Sequence, residues 1–318
     1  MLDLHMHTRY SDGSDEVSMV LEKAEKLKLK CIAITDHNTC LEYNELKDEK
    51  IRSLFSGKII PGVELNTKVL GIPIEILGYN VDTDLLQKYI DETYMSNEER
   101  CKLEVERLYN KCISEGILLP EDFVEKYDGS MYASKYLHSL ITKDENNKKL
   151  IDEDSWKDSN IFYRRYMSVP TSKFFVDMDD ILPSFEKASE IVKKSGGMVF
   201  IPHIFEYGEN SIKILNYILD NYKFDGIECY YRNFTQEKTD FLLDICKKHN
   251  LYKSGGSDYH GRNKPGVEIG TGEGNLNVPD DIITWAKIFV WCYKNVLTNM
   301  NDENKMYGIT GRSKKLGP

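Results

Sequence analysis

Short apolar runs alternate along this chain with segments of helical periodicity, and this alternation restricts the fold more than any other feature. Residues 17–27 carry apolar side chains at the spacing of one helix face, and residues 31–35 follow as an apolar run of strand length. The same alternation resumes after residue 180. Strands that alternate with helices indicate an α/β fold built on a parallel sheet.

The alternation is interrupted between residues 93 and 180 by a polar, helix-prone stretch. Within it, residues 101–112 place their apolar side chains on one helical face. We therefore expect residues 1–92 and 181–299 to form one discontinuous domain, residues 93–180 to form a helical insertion or lid, and residues 300–318 to form a C-terminal tail.

The composition excludes several classes of protein. The longest uncharged run, residues 195–205, is much shorter than the ~20 residues of a membrane-spanning helix, so no membrane segment is expected. The N-terminus lacks a basic segment followed by an apolar stretch, and the seven cysteines show no CxxC spacing, so we expect a cytoplasmic protein with reduced thiols. The net charge of −10 argues against a stable nucleic-acid complex. The oligomeric state is left open.

Potential metal ligands collect where the predicted strands end. His5 and His7 share one side of the first predicted strand, because alternate residues of a strand point the same way. In a parallel α/β barrel the carboxyl ends of the strands meet at one rim, where active sites form. We therefore predict that nine metal ligands converge at one mouth: His5, His7, Asp12, His37, Glu64, Glu75, His203, Asp258 and His260.

The chemistry of this set indicates a cluster of ions rather than a single ion. Imidazole and carboxylate groups together suit Zn, Mn or Fe, and this many can hold two or three divalent ions. Such a cluster can bind a phosphate ester, convert water to hydroxide and stabilise the charge that develops during displacement. A single His-x-His pair is common by chance, so the prediction depends on the whole set. His138 and His249 are interpreted as structural, and Glu228 could orient a ligand or be a buried strand-end carboxylate.

Five short motifs give the chain a family resemblance. In chain order they are Asp3-Leu4-His5-Met6-His7-Thr8, Ser11-Asp12-Gly13, Thr35-Asp36-His37, Pro61-Gly62-Val63-Glu64 and Gly256-Ser257-Asp258-Tyr259-His260-Gly261. In these motifs the chain resembles the PHP (polymerase and histidinol phosphatase) family of metal-dependent phosphoesterases. It looks most like the stand-alone members that hydrolyse nucleotide monophosphate or 3′,5′-bisphosphate esters. The resemblance implies a distorted (β/α)7 barrel of the TIM type with an inserted helical subdomain, and a site for three metal ions.

The resemblance also assigns ligands to the three ions. The first ion would be held by His5, His7 and Asp258. The third ion would be held by Asp12, His37 and His260. Glu64 would bridge the first ion to the second, which His203 also binds. All of these residues except His203 form the implied catalytic set.

Two departures from the family pattern concern the ligands and the phosphate. Glu75 stands where nucleotide-hydrolysing members carry a histidine, and a carboxylate favours harder metals such as Mn or Fe. In residues 201–206, His203 follows the proline and no arginine stands two residues later, so a customary phosphate-binding arginine is missing. The cations predicted to bind the substrate in its place are Arg164, Arg165, Arg262 and Lys264.

Together these features predict a metal-dependent phosphoesterase that acts on a small, phosphorylated, nucleotide-like substrate by attack of a metal-bound hydroxide. Two alternatives stay open. The substrate could be histidinol phosphate, or the chain could be a metal-binding regulatory module without turnover, which the missing arginine would suit.

Overall fold

Strands and helices alternate along the chain, and the α/β class predicted from the sequence is confirmed. The computed structural model describes residues 1–129, 131–167, 169 and 171–286, without the side chains of Asn97, Asn160 and Arg164. The predicted tail at 300–318 lies outside the described residues. None of the helices in these ranges is long and apolar enough to cross a membrane.

Eight strands and ten α-helices occur within the described residues. The strands are β1 (Leu2–Asp3), β2 (Cys31–Ile32), β3 (Lys58–Ile59), β4 (Gly62–Val69), β5 (Ile72–Tyr79), β6 (Met198–Ile201), β7 (Gly226–Tyr231) and β8 (Tyr252–Gly256). The helices of the first part are α1 (Val17–Lys26), α2 (Glu49–Arg52) and α3 (Thr83–Thr93). The middle part contains α4 (Asn97–Ser114), α5 (Ala133–Ile141), α6 (Glu153–Lys157), α7 (Ser159–Phe162) and a π-helical turn (Tyr163–Met167). The last part contains α8 (Phe185–Lys194), α9 (Ser211–Asn221) and α10 (Gln236–His249).

The strands form two sheets, of which one is wholly parallel and the other contains both parallel and antiparallel pairs. β1, β2 and β3 are parallel, as are β6, β7 and β8, whereas β5 is antiparallel to both of its neighbours, β4 and β6. The parallel arrangement predicted from the alternation is therefore interrupted at β5. The cause is a two-residue connection, Leu70-Gly71, in which both residues have positive φ values of 55° and 75°. This conformation closes a tight hairpin, which can join only antiparallel strands.

Hydrogen bonds connect the outer strands of the two sheets on both sides. On one side the Leu4 backbone N–H donates to the Gly255 carbonyl at 3.1 Å, and Met6 forms a parallel bridge with Tyr259. On the other side the residues after β2 continue to pair with the chain that runs from β3 into β4, and His37 forms a parallel bridge with Glu64. The ends of β1, β2 and β8 and the start of β4 are consequently held at one place.

The middle part of the chain has a buried apolar cluster of its own. It includes Val105, Leu108, Phe123 and Phe162, and all of its buried members lie between residues 101 and 174. The long helix α4 begins with a capping box, in which Ser96 and Glu99 satisfy each other's backbone N–H groups. The other two clusters of buried apolar residues lie among the two sheets and the helices that cover them.

One buried carboxyl group in the first part of the chain has no compensating contact. Glu42 is fully buried, and neither of its carboxylate oxygens has a hydrogen-bond partner among the described residues. Burial raises the pKa of Glu42 well above its ordinary range, and the nearby Asp36 carboxylate raises it further. Burial of this carboxyl group therefore favours its protonated form.

Glu42→Gln should therefore stabilise the protein increasingly as the pH rises. Because the pKa of Glu42 is higher in the folded state, its contribution to stability is fully present below the unfolded-state pKa of about 4.3 and is lost as the pH rises through the folded-state pKa. Thermal unfolding between pH 5 and pH 8 measures this effect, with exposed Glu49→Gln as the control. If wild type and Glu42→Gln give parallel curves of Tm against pH, Glu42 is not buried in this way.

Candidate metal centre

The nine predicted ligands surround one cavity with a volume of about 750 Å³. The seven that line it are Asp12, His37, Glu64, Glu75, His203, Asp258 and His260. His5 and His7 lie beneath its floor, fully buried. Glu64 lies near the start of β4 rather than at the end of a strand, because β4 continues past its last parallel partner, His37, into the hairpin with β5.

The first group of potential ligands consists of His5, His7 and Glu64. The Nε2 atoms of His5 and His7 lie 3.1 and 3.2 Å from the same oxygen, Oε2 of Glu64. Asp258 Oδ1 adds a fourth donor, 3.3 Å from His7 Nε2 and 3.7 Å from His5 Nε2. Two imidazoles and two carboxylates therefore converge on one point.

The second group consists of His7, Asp12, His37 and His260. Asp12 Oδ1 lies 3.2 Å from His260 Nε2 and 3.7 Å from His7 Nδ1, and its Oδ2 lies 3.8 Å from His37 Nε2. The His7 ring stacks between the other two, with ring centroids 4.5 Å from His37 and 4.1 Å from His260. Asp12 has a half-exposed side chain, so this group faces the open part of the cavity.

The third group consists of Glu64, Glu75 and His203. Glu64 Oε1 lies 2.9 Å from His203 Nε2, and Glu75 Oε2 lies 3.5 Å from the same nitrogen. The antiparallel direction of β5 makes this possible, because it pairs Glu75 with Asn66, two residues beyond Glu64. Glu64 thus uses one oxygen in the first group and the other in the third.

The histidines and carboxylates of the cluster shift one another's pKa values. Burial acts to lower the pKa of His7, but the carboxylates of Asp258 and Glu64 outweigh it and raise that pKa to about 10. Burial likewise opposes the effect of Glu64 on His203, whose pKa rises to about 9. Burial acts to raise the pKa of Glu64, yet the surrounding histidines hold it well below its usual range. The histidines around the carboxylate of Glu64 therefore favour its ionised form.

Divalent metal ions fit this donor set. Both ring nitrogens of His7 and Nδ1 of His37 and His203 are buried without a hydrogen-bond partner among the described residues. Buried polar atoms are normally satisfied, so unpartnered imidazole nitrogens in a cluster with carboxylates fit the binding of a cation. Histidine and carboxylate together suit transition metals.

A second layer of hydrogen bonds orients the potential ligands. Glu228 places Oε1 3.0 Å from His5 Nδ1, and its Oε2 accepts a hydrogen bond of 2.8 Å from the backbone N–H of His203. His203 itself has a positive φ of 21°, which is uncommon outside glycine and is often found at functional sites. Of the two interpretations of Glu228, the structure agrees with the one in which it orients ligands.

The two carboxylate oxygens of Asp258 make different contacts. Its Oδ2 accepts hydrogen bonds from the Tyr231 hydroxyl, at 2.6 Å, and from the Lys264 ammonium. Its Oδ1 faces the histidines of the first two groups. The two donors fix the carboxylate so that Oδ1 is presented to the cavity.

Asp3 ties the strand that carries His5 to the segment that carries Asp258. Its carboxylate accepts hydrogen bonds from the backbone N–H and the hydroxyl of Ser257, at 2.9 and 2.6 Å. The two chains approach so closely that a Cβ on Gly256 would lie 2.3 Å from the Cβ of His5. Glycine is therefore required at this position.

Tyr207 fixes Glu75, the residue at which the chain departs from the family pattern. The Tyr207 hydroxyl accepts a hydrogen bond of 2.9 Å from the Glu75 backbone N–H and donates one of 3.3 Å to Glu75 Oε2. This contact could not be predicted from the sequence, because nothing in the local pattern relates residues so far apart in the chain.

The predicted substrate-binding cations are only partly found at the cavity. Lys264 lines it. Arg165 does not, because Asp152 and Asp154 bind its guanidinium in the middle part of the chain, at 2.5 and 3.3 Å. Arg262 is also absent from the lining and donates its backbone N–H to Ser14. The side chain of Arg164 lies outside the described part of the structure.

Three other cations line the cavity: Arg9, Arg100 and Lys135. Arg9 directly follows the first motif, and this proximity was a usable signal. Arg100 on α4 and Lys135 on α5 reach the cavity only through the packing of the middle part of the chain, which no local pattern reveals. His138, also on α5, lies 2.8 Å from the Ser155 carbonyl and outside the cluster, as its structural interpretation requires.

Comparison with known proteins agrees with this arrangement. Residues 3–158, which include six of the nine potential ligands, match the PHP domain family model. The chain is 23% identical over 274 residues to the 5′-3′ exoribonuclease Rnm of Escherichia coli (strain K12), covering 84% of this chain and 87% of that protein. It is 24% identical over 273 residues to the 3′,5′-nucleoside bisphosphate phosphatase of Chromobacterium violaceum, covering 85% and 90%.

The fold is also similar to that of a solved structure. The crystal structure of a metal-dependent phosphoesterase from Bifidobacterium adolescentis superposes with a TM-score of 0.63 at 22% identity, covering 90% of this chain and 94% of that one. The match to the family model assigns residues 3–158 to the PHP domain family, and the similarity of fold extends over 90% of the chain.

Proposed function

We propose that this protein is a metal-dependent phosphoesterase that hydrolyses a small, nucleotide-like phosphate ester. The observation that carries the proposal is the sharing of Glu64 between two groups of ligands on the floor of a cavity large enough for a nucleotide. The names of the curated relatives, an exoribonuclease and a nucleoside bisphosphate phosphatase, support phosphate ester hydrolysis.

The proposed ligands are the nine side chains predicted from the sequence, now distributed over three groups. Glu64 would bridge the first and third groups, and His7 would connect the first and second. This distribution supports two or three ions, of which Mn and Fe suit the carboxylate-rich third group best. When bound, such ions supply Lewis-acid charge neutralisation and lower the pKa of water at the site.

The residues of the chain itself have three tasks. His5, His7 and Glu64 are buried at the base of the cavity, and by holding the ions there they would fix where the phosphate must lie. Lys264 borders the cavity beside Asp258 and can donate a hydrogen bond to a phosphate oxygen. Arg9 and Lys135 add positive charge on the cavity wall.

We also propose that the two sheets form one distorted, seven-stranded barrel with a helical insertion at residues 93–180. The bridges from Met6 to Tyr259 and from His37 to Glu64 support closure, with β3 and β4 counted as one interrupted strand. The separate apolar cluster between residues 101 and 174 supports the insertion.

Replacing Glu64 should remove more bound metal than replacing any ligand that belongs to one group. Glu64→Gln keeps the volume but withdraws the charge shared by two groups, whereas His203→Gln affects the third group only. Metal content after dialysis, measured by plasma mass spectrometry, should fall in the order wild type, His203→Gln, Glu64→Gln. His138→Gln, a change outside the cluster, is the control and should keep the wild-type content. Full metal content in Glu64→Gln would refute the shared ligand.

Asp258→Asn should reduce phosphate release by at least ~10²-fold, as loss of a principal electrostatic stabiliser does. Asp258 has a positive φ of 54°, which asparagine tolerates, so the backbone should be unaffected. The measurement is phosphate release from a panel of phosphate esters, including a nucleotide and histidinol phosphate, with and without a strong chelator. Chelation should abolish activity, and the exposed Asp84→Asn should behave as wild type. Unchanged turnover in Asp258→Asn would mean that Asp258 only shapes its turn.

Glu75 should set the metal preference. We expect activity to be highest with Mn²⁺, and Glu75→His to shift the preference toward Zn²⁺. Glu75→Ala should lose one ion and keep its fold, and Tyr207→Phe should weaken binding of the same ion because Glu75 loses its partner. Titration with each metal by calorimetry measures the number and affinity of the bound ions in each variant. Circular dichroism checks that the fold is kept. Wild-type metal content and turnover in Glu75→Ala would show that Glu75 is no ligand.

A further inference from the structure

Two cations and a phenol surround one oxygen of Asp258. The Tyr231 hydroxyl donates to Asp258 Oδ2 at 2.6 Å, and the Lys264 ammonium donates to the same oxygen. The guanidinium of Arg232 is the third group, with its Nε 3.9 Å from Oδ2. Asp258 therefore has two positive charges beside a single oxygen, although one would balance its carboxylate.

Arg232 is fixed on several sides. Its Nε donates to the Tyr231 hydroxyl at 3.2 Å, and its other nitrogens pair with Glu206 at 3.6 Å and with Glu273 at 2.5 Å. The guanidinium also lies over the Tyr231 ring, 5.2 Å from the centroid and within cation–π range. A Cβ on Gly272 would lie 2.7 Å from the Cβ of Arg232, so the loop that carries Gly272 packs directly against it. Arg232 is only 13% exposed, does not line the cavity and is held away from any ligand there.

Lys264 is in the opposite situation. Its side chain is 30% exposed and lines the cavity. Among the described residues, its ammonium has no hydrogen-bond or ion-pair partner other than Asp258. Lysine carries a compact charge on a flexible four-carbon stem. Lys264 can therefore leave Asp258 for another anion by rotation of its side chain alone.

A phosphate in the cavity attracts Lys264 more strongly than Asp258 does. A phosphate monoester carries a charge of about −2 near pH 7, whereas Asp258 carries a single negative charge and directs its Oδ1 at His7, at 3.3 Å, and at His260, at 3.4 Å. Departure of Lys264 costs the buried Oδ2 a charge-assisted hydrogen bond. Arg232 and Tyr231 offset that loss, because both stay beside the same carboxylate.

We propose that Arg232 is a positioning residue that holds Asp258 and balances its charge, so that Lys264 can transfer its ammonium from Asp258 to a phosphate oxygen of the substrate. This inference rests on the phosphate contact of Lys264 in the proposed function and explains how that lysine is released to make it. Arg232 itself does not touch the substrate.

The test measures binding of inorganic phosphate to the Mn²⁺-loaded protein by calorimetry. Wild type is compared with Lys264→Gln, Arg232→Gln and the double variant. Lys264→Gln removes one charge-assisted hydrogen bond and should weaken binding about tenfold. Arg232→Gln should weaken it by a similar factor, because Lys264 then stays with Asp258. The double variant should lose no more than either single variant, since both changes remove the same contact.

Two further variants separate a positioning role from a general effect on the fold. Arg232→Lys keeps a positive charge beside Asp258 and should restore most of the phosphate binding. Arg107→Gln removes an arginine that pairs with Asp180 outside the cavity, and as the matched control it should bind phosphate as wild type does. Circular dichroism and Mn²⁺ content establish that the compared variants are folded and loaded.

A milder change gives the same comparison if Arg232→Gln does not fold. Tyr231→Phe keeps the ring but removes the hydroxyl that connects Arg232 to Asp258. In this background, Lys264 should again stay with Asp258, so Lys264→Gln should weaken phosphate binding less than it does in wild type.

The outcomes separate the transfer of Lys264 from the phosphoesterase function. If Arg232→Gln binds phosphate as wild type does, or if the losses of the two single variants add up in the double variant, the transfer is wrong. A wild type that binds no phosphate would overturn it as well. A wild type that binds phosphate with the expected pattern but hydrolyses no phosphate ester would refute the proposed function alone.

Discussion

The shared carboxylate of Glu64 is the interaction on which the rest of the site depends. It is buried where β4 leaves its parallel partner and begins its hairpin with β5, so its two oxygens face histidines from different parts of the chain. His5 and His7 approach one oxygen, and His203 approaches the other. An ionised carboxylate in this position is costly without positive charge around it, and the geometry of the cavity floor follows from that requirement.

Such a cluster remains in place only because a second layer of polar groups fixes each member. Glu228 holds the His5 ring and the His203 backbone, and Tyr231 holds Asp258. Asp36 accepts hydrogen bonds from the backbone and hydroxyl of Thr8, at 2.8 and 2.5 Å, and so fixes the turn that leads to Asp12. Without a bound ion, this geometry leaves several buried histidine nitrogens without a partner among the described residues. We therefore assign the site to metals.

The sequence predicted those features that depend on local pattern. The potential ligands near the ends of β1, β2 and β8 could be found because short strands place them at one rim. The direction of β5 could not, since it depends on positive φ angles at Leu70 and Gly71. Arg165 was predicted as a substrate cation from its type alone, and its pairing with Asp152 and Asp154 is a tertiary contact with no local signal. Tyr207 was missed for the same reason.

The most direct test of the account is anomalous diffraction from crystals grown with Mn²⁺. We predict at least two peaks in the cavity. One should lie beside Oε2 of Glu64, and another should lie between Oε1 of Glu64 and His203. A cavity without anomalous peaks, in crystals of protein whose phosphate release survives chelation, would contradict the claim that these side chains form a metal centre.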